Sequence, residues 1–184
     1  MQITRTEIEG VLVLHPVRHG DARGFFSEVF RDDALKALGI AAHFVQDNHS
    51  FSADSGTVRG LHFQVPPAAQ AKLVRVAAGA VLDVAVDLRP HSPSFGRHVA
   101  IRLSAAEWNQ IFLPEGFAHG FCTLEPNSHV LYKVTRYYSP EQERGLLWND
   151  PALGIAWPIG ADRALLSEKD RNYPPFSDLP HYFG

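Results

Sequence analysis

The chain has 184 residues, enough for one domain with a sizeable core. Apolar residues make up 45% and charged residues 20%, which excludes a chain disordered throughout. Lys plus Arg is 17 against 20 Asp plus Glu, and the net charge of −3 argues against a general nucleic-acid binder, though not against an anionic small ligand.

No internal repeat, low-complexity tract or Ser/Gly linker interrupts the sequence, so it reads as one domain over residues 1–184. The first strand-like segment is 11–15. A short helix is predicted over 32–39, with Asp32 and Asp33 first and Gly39 as a stop. Further strand candidates are 45–51, 58–64 and 72–77. The segment 81–88 alternates: Leu82, Val84, Val86 and Leu88 share one face, and Asp83 and Asp87 share the other. These two aspartates read most simply as a solvated face. After the break at Arg89-Pro90, strands are expected at 98–103, 110–113, 120–124 and 130–137. Ser104 to Glu107 has capping-box spacing and predicts a single turn. From about residue 151 the chain is Pro-rich and irregular. It reads as a tail wrapped over the strands, with short helices near 161–166 and 168–171. Many short strands separated by Gly and Pro predict an antiparallel sandwich or barrel.

Cys122 is the single cysteine, so neither an internal disulfide nor a Cys-based zinc site is expected. The start, MQITRTEIEG, lacks the apolar run of a secretory signal, and no stretch approaches a membrane span. A soluble, cytoplasmic protein is expected, with no membrane and no nucleic acid among its partners. The sequence holds 10 histidines, and 13 of its 17 cations are arginine, the side chain suited to bidentate phosphate or carboxylate recognition. GxGxxG, a Walker-type loop, HExxH, CxxC and GxSxG are all absent, so the enzyme classes they mark lose support.

What remains is a set of polar side chains inside strand-like sequence, among them Gln46, Asn48, His62, Lys72 and Tyr132. Such groups need partners or a wet cavity, and a barrel mouth is one. His62 is a natural general base near neutral pH. Asp170 or Asp83 could orient it, Tyr132 could act as acid, and Lys72 or Arg59 could stabilise an oxyanion. A base and an acid on opposite sides of a pocket suit inversion at a carbon next to a carbonyl. Spacing alone does not show that they oppose each other. Each residue also has an ordinary structural role: a bonded strand histidine, a rim tyrosine, surface charges at Arg23, Glu28 and Lys72. For a metal, His62 is followed by Gln64 rather than a second His, and His62 and His119 are far apart in sequence. Arg59 and His62 are three residues apart, so both can face one pocket only if a bulge or bend falls at Gly60.

These segments, in this order, closely resemble the dTDP-4-dehydrorhamnose 3,5-epimerase family. The matching stretches include RGFFSE (23–28), QDNHS (46–50), VRGLHFQ (58–64), AKLVRV (71–76), SPSFG (92–96), LPEGFAHGF (113–121), YKVTRYYSP (132–140) and LSEKD (166–170). The resemblance implies a mainly β, cupin-type jelly roll, acting as a homodimer with no metal and no cofactor. It implies a dTDP-4-keto-6-deoxy sugar substrate, dTDP-4-dehydro-6-deoxy-D-glucose, epimerised at C3 and C5 through enolates flanking the C4 ketone. By position, His62 matches the catalytic base, Asp170 its orienting carboxylate, Tyr132 the acid, and Lys72 the cation near the C4 oxygen. Arg59 matches a diphosphate contact. Arg23, Glu28, Gln46, Asp47, Asn48, His119, Glu143 and Lys169 match positions contacting nucleotide, diphosphate or sugar, with Arg23 and Glu28 acting across the dimer. Ser94 stands where Thr is frequent in the family.

Beyond the resemblance, Asp83 and His119 are expected to form a second His–carboxylate pair. The main alternative is a mono-epimerase acting at C3 or C5 only, or a keto-isomerase, of a related deoxysugar pathway. A non-catalytic sugar-binding cupin and a metal-dependent cupin oxygenase are the remaining alternatives.

Overall fold

A computed structural model describes all 184 residues. The strands are β1 (Gln2–Arg5), β2 (Leu12–His15), β3 (His19–Asp21), β4 (Gly24–Phe26), β5 (Gln46–Ser52), β6 (Val58–Gln64), β7 (Lys72–Ala78), β8 (Ala80–Asp87), β9 (His98–Ser104), β10 (Gln110–Leu113), β11 (Phe117–Thr123), β12 (Ser128–Val134) and β13 (Glu143–Gly145). Two α-helices, α1 (Asp32–Ala37) and α2 (Glu168–Arg171), and two single-turn 3-10 helices, Pro151–Leu153 and Phe176–Asp178, complete the regular structure. One sheet has six strands in the order β1-β2-β10-β7-β12-β5, and the other has five in the order β13-β6-β11-β8-β9. Strands β3 and β4 form a separate hairpin. This is a jelly roll of the cupin type. No helix is long and apolar enough to cross a membrane.

The main core lies between the sheets. Val74, Val76, Ile111, Leu113 and Val130 from the first meet Val81, Ala85, Val99, Leu103, Phe117 and Phe121 from the second. Alternation along each strand sends the intervening residues outward. On the outer side of the six-stranded sheet, Leu14, Leu73 and Phe112 are covered by Leu35 of α1 and by Ile40. Helix α1 starts with Asp32 and Asp33, as its dipole favours. It stops at Gly39, whose φ of +85° suits glycine.

The outer side of the five-stranded sheet is also buried. Leu146, Leu153, Phe176, Leu179, Tyr182 and Phe183 cover Leu61, Phe63, Val84, Val86 and Leu88. Strand β8 therefore has no solvated face, and Asp83 and Asp87 are both fully buried. Burial raises the pKa of Asp87. Hydrogen bonds from Arg89, Ser92 and Ser94 outweigh this and bring it down to about 2. The network pins the loop after β8.

Some sequence expectations are corrected. Residues 161–166 are not helical. Leu165 bridges Thr57 in parallel, and its N–H donates to the Gly56 carbonyl while its own carbonyl accepts from Val58. The segment is thus tied to the start of β6. Ser104–Glu107 forms one turn, with Ser104 Oγ accepting from the Glu107 amide at 3.0 Å. The short strands β1, β3, β4 and β13 had no alternation to reveal them.

Candidate active site

A cavity of about 630 Å³ opens between the sheets, within the range of small-ligand pockets. Gln46, Asn48 and Ser50 of β5, Lys72 of β7 and Tyr132 of β12 line it from the six-stranded sheet. Arg59 and His62 of β6, His119 of β11, Glu143 of β13, and Lys169 and Asp170 of α2 line it from the other side.

Arg59 and His62 share the cavity because β6 is irregular at Gly60. Its φ is +128°, and a Cβ there would lie 2.5 Å from the Gly120 Cα. The β6–β11 register shifts beside it. The chain can take this path only with glycine at 60 and a close approach of Gly120.

His62 Nε2 lies 2.6 Å from Asp170 Oδ1. A carboxylate only accepts, so Nε2 carries the proton and Nδ1 keeps its lone pair. Asp170 is buried, and burial raises its pKa. The hydrogen bond and charge of His62, with lesser help from the Gly60 amide and Ser167, outweigh that, so the carboxyl stays below its ordinary value. Ser167 caps α2 through the Asp170 amide at 3.1 Å, which fixes the turn that presents the carboxylate.

His119 is the register partner of His62 across β6 and β11. Its Nε2 lies 2.9 Å from Asp83 Oδ2, so the second His–carboxylate pair is present. Burial lowers the pKa of His119 despite the attraction of Asp83, with Lys72 and His62 adding to the lowering. The imidazole is therefore neutral near pH 7. Asp83 Oδ1 is buried and has no partner.

Lys72 is buried, and its Nζ donates to the His62 carbonyl at 3.3 Å. Desolvation lowers its pKa to about 8 against the pull of Asp83 and Glu143. Burial raises the pKa of Tyr132, with Arg59 opposing and Glu143 adding to the rise. No group of three or more His, Cys, Asp or Glu side chains converges to hold a metal.

The mouth is polar. Arg59 donates to Ser52 Oγ at 3.2 Å and to the Phe51 carbonyl at 2.9 Å. Gln46 donates to Asn48 Oδ1 at 2.8 Å, and its own oxygen accepts from the Tyr138 amide. Glu143 accepts from the Tyr138 hydroxyl at 2.7 Å and is paired with Lys169. Burial raises the pKa of Glu143, but Lys169 and Tyr138 outweigh it and hold the carboxylate ionised.

Three sequence candidates lie elsewhere. Asp47 is one residue out of phase with Gln46 and Asn48. Its side chain turns to the outer face, where it pairs with Lys133 at 2.8 Å. Glu28 pairs with Arg31 and lines a separate outer groove with Asp47 and Lys133. Arg23 stands on the β3–β4 hairpin with its side chain 90% exposed, bonded to Asp21. Within one chain, none of the three reaches the cavity.

Other lining residues had no assigned role in the sequence reading: Ser50, Gln64, Gln70, Tyr138 and Ser167. Ser50 was in phase with Gln46 and Asn48, a usable signal. Tyr138 gave none, since it follows the end of β12.

The model of the dTDP-4-dehydrorhamnose 3,5-epimerase family matches residues 5–178. The dTDP-4-dehydrorhamnose 3,5-epimerase of Escherichia coli is 50% identical over 180 residues, 97% of this chain and 96% of that protein. Among solved structures, the enzyme of that name from Bacillus anthracis, with TDP and PPi bound, superposes with a TM-score of 0.92. It is 48% identical, covering 95% of this chain and 98% of that one. A dTDP-6-deoxy-D-glucose-3,5-epimerase of Legionella pneumophila in complex with dTDP-4-keto-L-rhamnose also gives 0.92. The identity there is 43%, over 97% of this chain and 94% of that one.

Proposed function

The chain belongs to the dTDP-4-dehydrorhamnose 3,5-epimerase family, and from that premise we propose that it converts dTDP-4-dehydro-6-deoxy-D-glucose to dTDP-4-dehydro-L-rhamnose. The chemistry is proton transfer at the two carbons beside the C4 ketone. His62 Nδ1 removes the proton from C3 or C5, and the C–H electron pair moves into an enolate with its charge on the C4 oxygen. Lys72 faces that charge in a largely desolvated wall, where a cation is most effective. Tyr132 returns a proton to the opposite face, which inverts the centre. Asp170 holds His62 in the reactive tautomer and stabilises the imidazolium that forms.

The observation that carries this reading is the placement of base and acid. His62 stands on the five-stranded sheet and Tyr132 on the six-stranded sheet, with one cavity between them. Inversion needs that opposition. Neutral His119 offers a polar contact to the sugar beside the base. Arg59 contacts the diphosphate, and Gln46, Asn48, Glu143 and Lys169 hold the nucleotide end.

Arg23 and Glu28 act across a homodimer, each reaching the partner's pocket. The exposure of the hairpin in a single chain, with Phe26 at 67%, supports this. Asp47 contributes through the outer groove it shares with Glu28 rather than through the cavity.

The test is turnover of dTDP-4-dehydro-6-deoxy-D-glucose in deuterated water, with product trapped by reduction and read by NMR. Deuterium at both C3 and C5 in an L-configured product is expected. Deuterium at one centre alone would make the chain a mono-epimerase. Absence of exchange at either would remove the proton-transfer reading.

A further inference from the structure

Helix α2 delivers Asp170 and Lys169 to the cavity, and Tyr173 follows two residues after it ends. Tyr173 is not among the cavity-lining residues. Its ring lies on Gly145, where an added Cβ would fall 2.2 Å from the ring carbons. Gly145 is the register partner of His62 between β13 and β6. The ring thus occupies the place of the missing side chain beside the base. Its centroid is 5.6 Å from that of the His62 imidazole, and the planes meet at 69°, an edge-to-face contact.

The surrounding backbone is fixed. The Leu147 amide donates to the Pro174 carbonyl at 2.9 Å, and the Phe176 amide donates to Asp150 Oδ2 at 2.6 Å. The Tyr173 hydroxyl is buried with no hydrogen-bond partner at normal distance, and Lys169 stands near enough to act on its ionisation; what reaches His62 is the ring.

The bond to Asp170 holds the imidazole only at Nε2, and Cβ holds it at the other end. The ring remains free to rock about the line joining those two points. Nδ1 lies off that line, so rocking moves the atom that takes the proton. An aromatic ring packed edge-to-face against the imidazole restricts this freedom.

We propose that Tyr173 is a positioning residue for the epimerisation: seated on Gly145, its ring fixes the tilt of the His62 imidazole and so aims Nδ1 at the substrate carbon. The inference rests on His62 being the base. A displacement of the reacting nitrogen by a fraction of an ångström is enough to slow proton transfer strongly.

The experiment compares Tyr173→Ala, Tyr173→Phe and Gly145→Ala with the unaltered protein by steady-state kinetics and by deuterium exchange at C3 and C5. Tyr173→Ala should lower kcat and exchange about tenfold or more, with KM changed by less than about twofold. Tyr173→Phe should restore both, since it keeps the ring that sits on Gly145 and against His62. Gly145→Ala, which drives the ring off its seat while the rest of the tail is unaltered, should reproduce the Tyr173→Ala kinetics. If the Ala variant does not fold, Tyr173→Leu carries the same comparison. It keeps bulk but presents no aromatic edge. A kcat for Tyr173→Ala or Tyr173→Leu within about twofold of the unaltered protein overturns the proposal, as does a Phe variant no better than Ala. His62→Ala separates the two readings. Retained turnover there would defeat the base assignment itself. A dead His62→Ala beside a fully active Tyr173→Ala would defeat only the positioning role.

Discussion

His62 and His119 are direct register partners on adjacent strands, yet each gives its Nε2 to a different carboxylate, Asp170 for one and Asp83 for the other. The two pairs differ in exposure. The His62 side chain is 32% exposed, whereas the His119–Asp83 pair is buried. The first therefore presents its imidazole to the cavity, as the proposed base requires, and the second is a neutral, fixed wall beside it.

Replacing Asp170 by Asn removes the charge that, in the proposed mechanism, stabilises the His62 imidazolium while leaving a group of similar size. A charged hydrogen bond contributes about 1.5–3 kcal/mol, so kcat should fall roughly tenfold to a hundredfold. KM should change little, because Asp170 acts on the substrate only through His62. Initial rates over a range of substrate concentrations check this. A fall confined to KM would contradict it.

The Lys72 amine, with a pKa of about 8 rather than 10.5, loses its charge as pH rises through that value. On the proposed mechanism the enolate then loses its cation, so kcat should decline above about pH 8. Folding stability should move the other way. Between about 8 and 10.5 the unfolded chain binds more protons at this lysine than the folded one, so stability contributed here rises with pH. The difference between the unaltered protein and Lys72→Met, in both pH–rate profiles and denaturant titrations, isolates the two opposite trends.

Asp87 has the reverse sign. Its folded pKa of about 2 lies below the ordinary 3.8, so its contribution is fully present above 3.8 and disappears as pH falls through about 2. Full loss of the network's advantage amounts to about 2 kcal/mol. Ser94→Ala, which removes one donor at 2.7 Å, should lower the denaturation midpoint at pH 7 and narrow the gap at pH 2. An equal gap at both values would show that Asp87 is not the group responsible.

Gly60→Ala should be severe. The φ of +128° disfavours any L side chain, and the Cβ would press on backbone rather than on a movable side chain. A cost of about 2–4 kcal/mol is expected from the strain together with the clash. Since His62 lies two residues on, activity should fall further than the loss of folded protein explains. Circular dichroism melts and specific activity per folded molecule measure the two effects separately.

If Arg23 and Glu28 reach the partner's pocket, mixing two inactive variants should regain turnover. Arg23→Ala alone leaves His62 intact, and His62→Ala alone leaves Arg23 intact, so a mixed dimer contains one complete pocket. Recovery of rate after co-refolding Arg23→Ala with His62→Ala is the expected result. A mixture no faster than the sum of its parts would show that Arg23 does not act on the partner's pocket.

Period-2 alternation made most of the barrel readable. The strand limits of β6 and β10 are those the sequence predicts. It also placed Gln46 and Asn48 on one face and demanded an irregularity at Gly60, which the register shift supplies. The pairing of Asp83 with His119 was legible from the polar phase of β8. The burial of Asp83 and Asp87 was not, because the face they share with Val81 and Ala85 turns inward toward the other sheet, while the apolar face that alternation suggests as the core side is covered instead by the tail, from residues far along the chain with no periodicity of their own. The hairpin β3–β4 and strand β13 were hidden for a related reason: three residues carry no pattern, and pairing alone makes them strands. Asp47 came with its neighbours from the resemblance, and its place one residue out of phase with Gln46 and Asn48 turns its side chain to the outer face within one chain.

The His62–Asp170 bond joins residues 108 positions apart, and Asp170 arrives on a helix of four residues. That helix belongs to a tail held mainly by partly covered aromatic and aliphatic side chains and, apart from the single bridge of Leu165 to Thr57, not by strand pairing within the two sheets. Segments of this sort open at lower free energy than the strands beneath them. Mild denaturant should thus silence the enzyme while the barrel still gives its full β-sheet spectrum, and the catalytic rate becomes a more sensitive gauge of the molecule's integrity than any bulk probe of its structure.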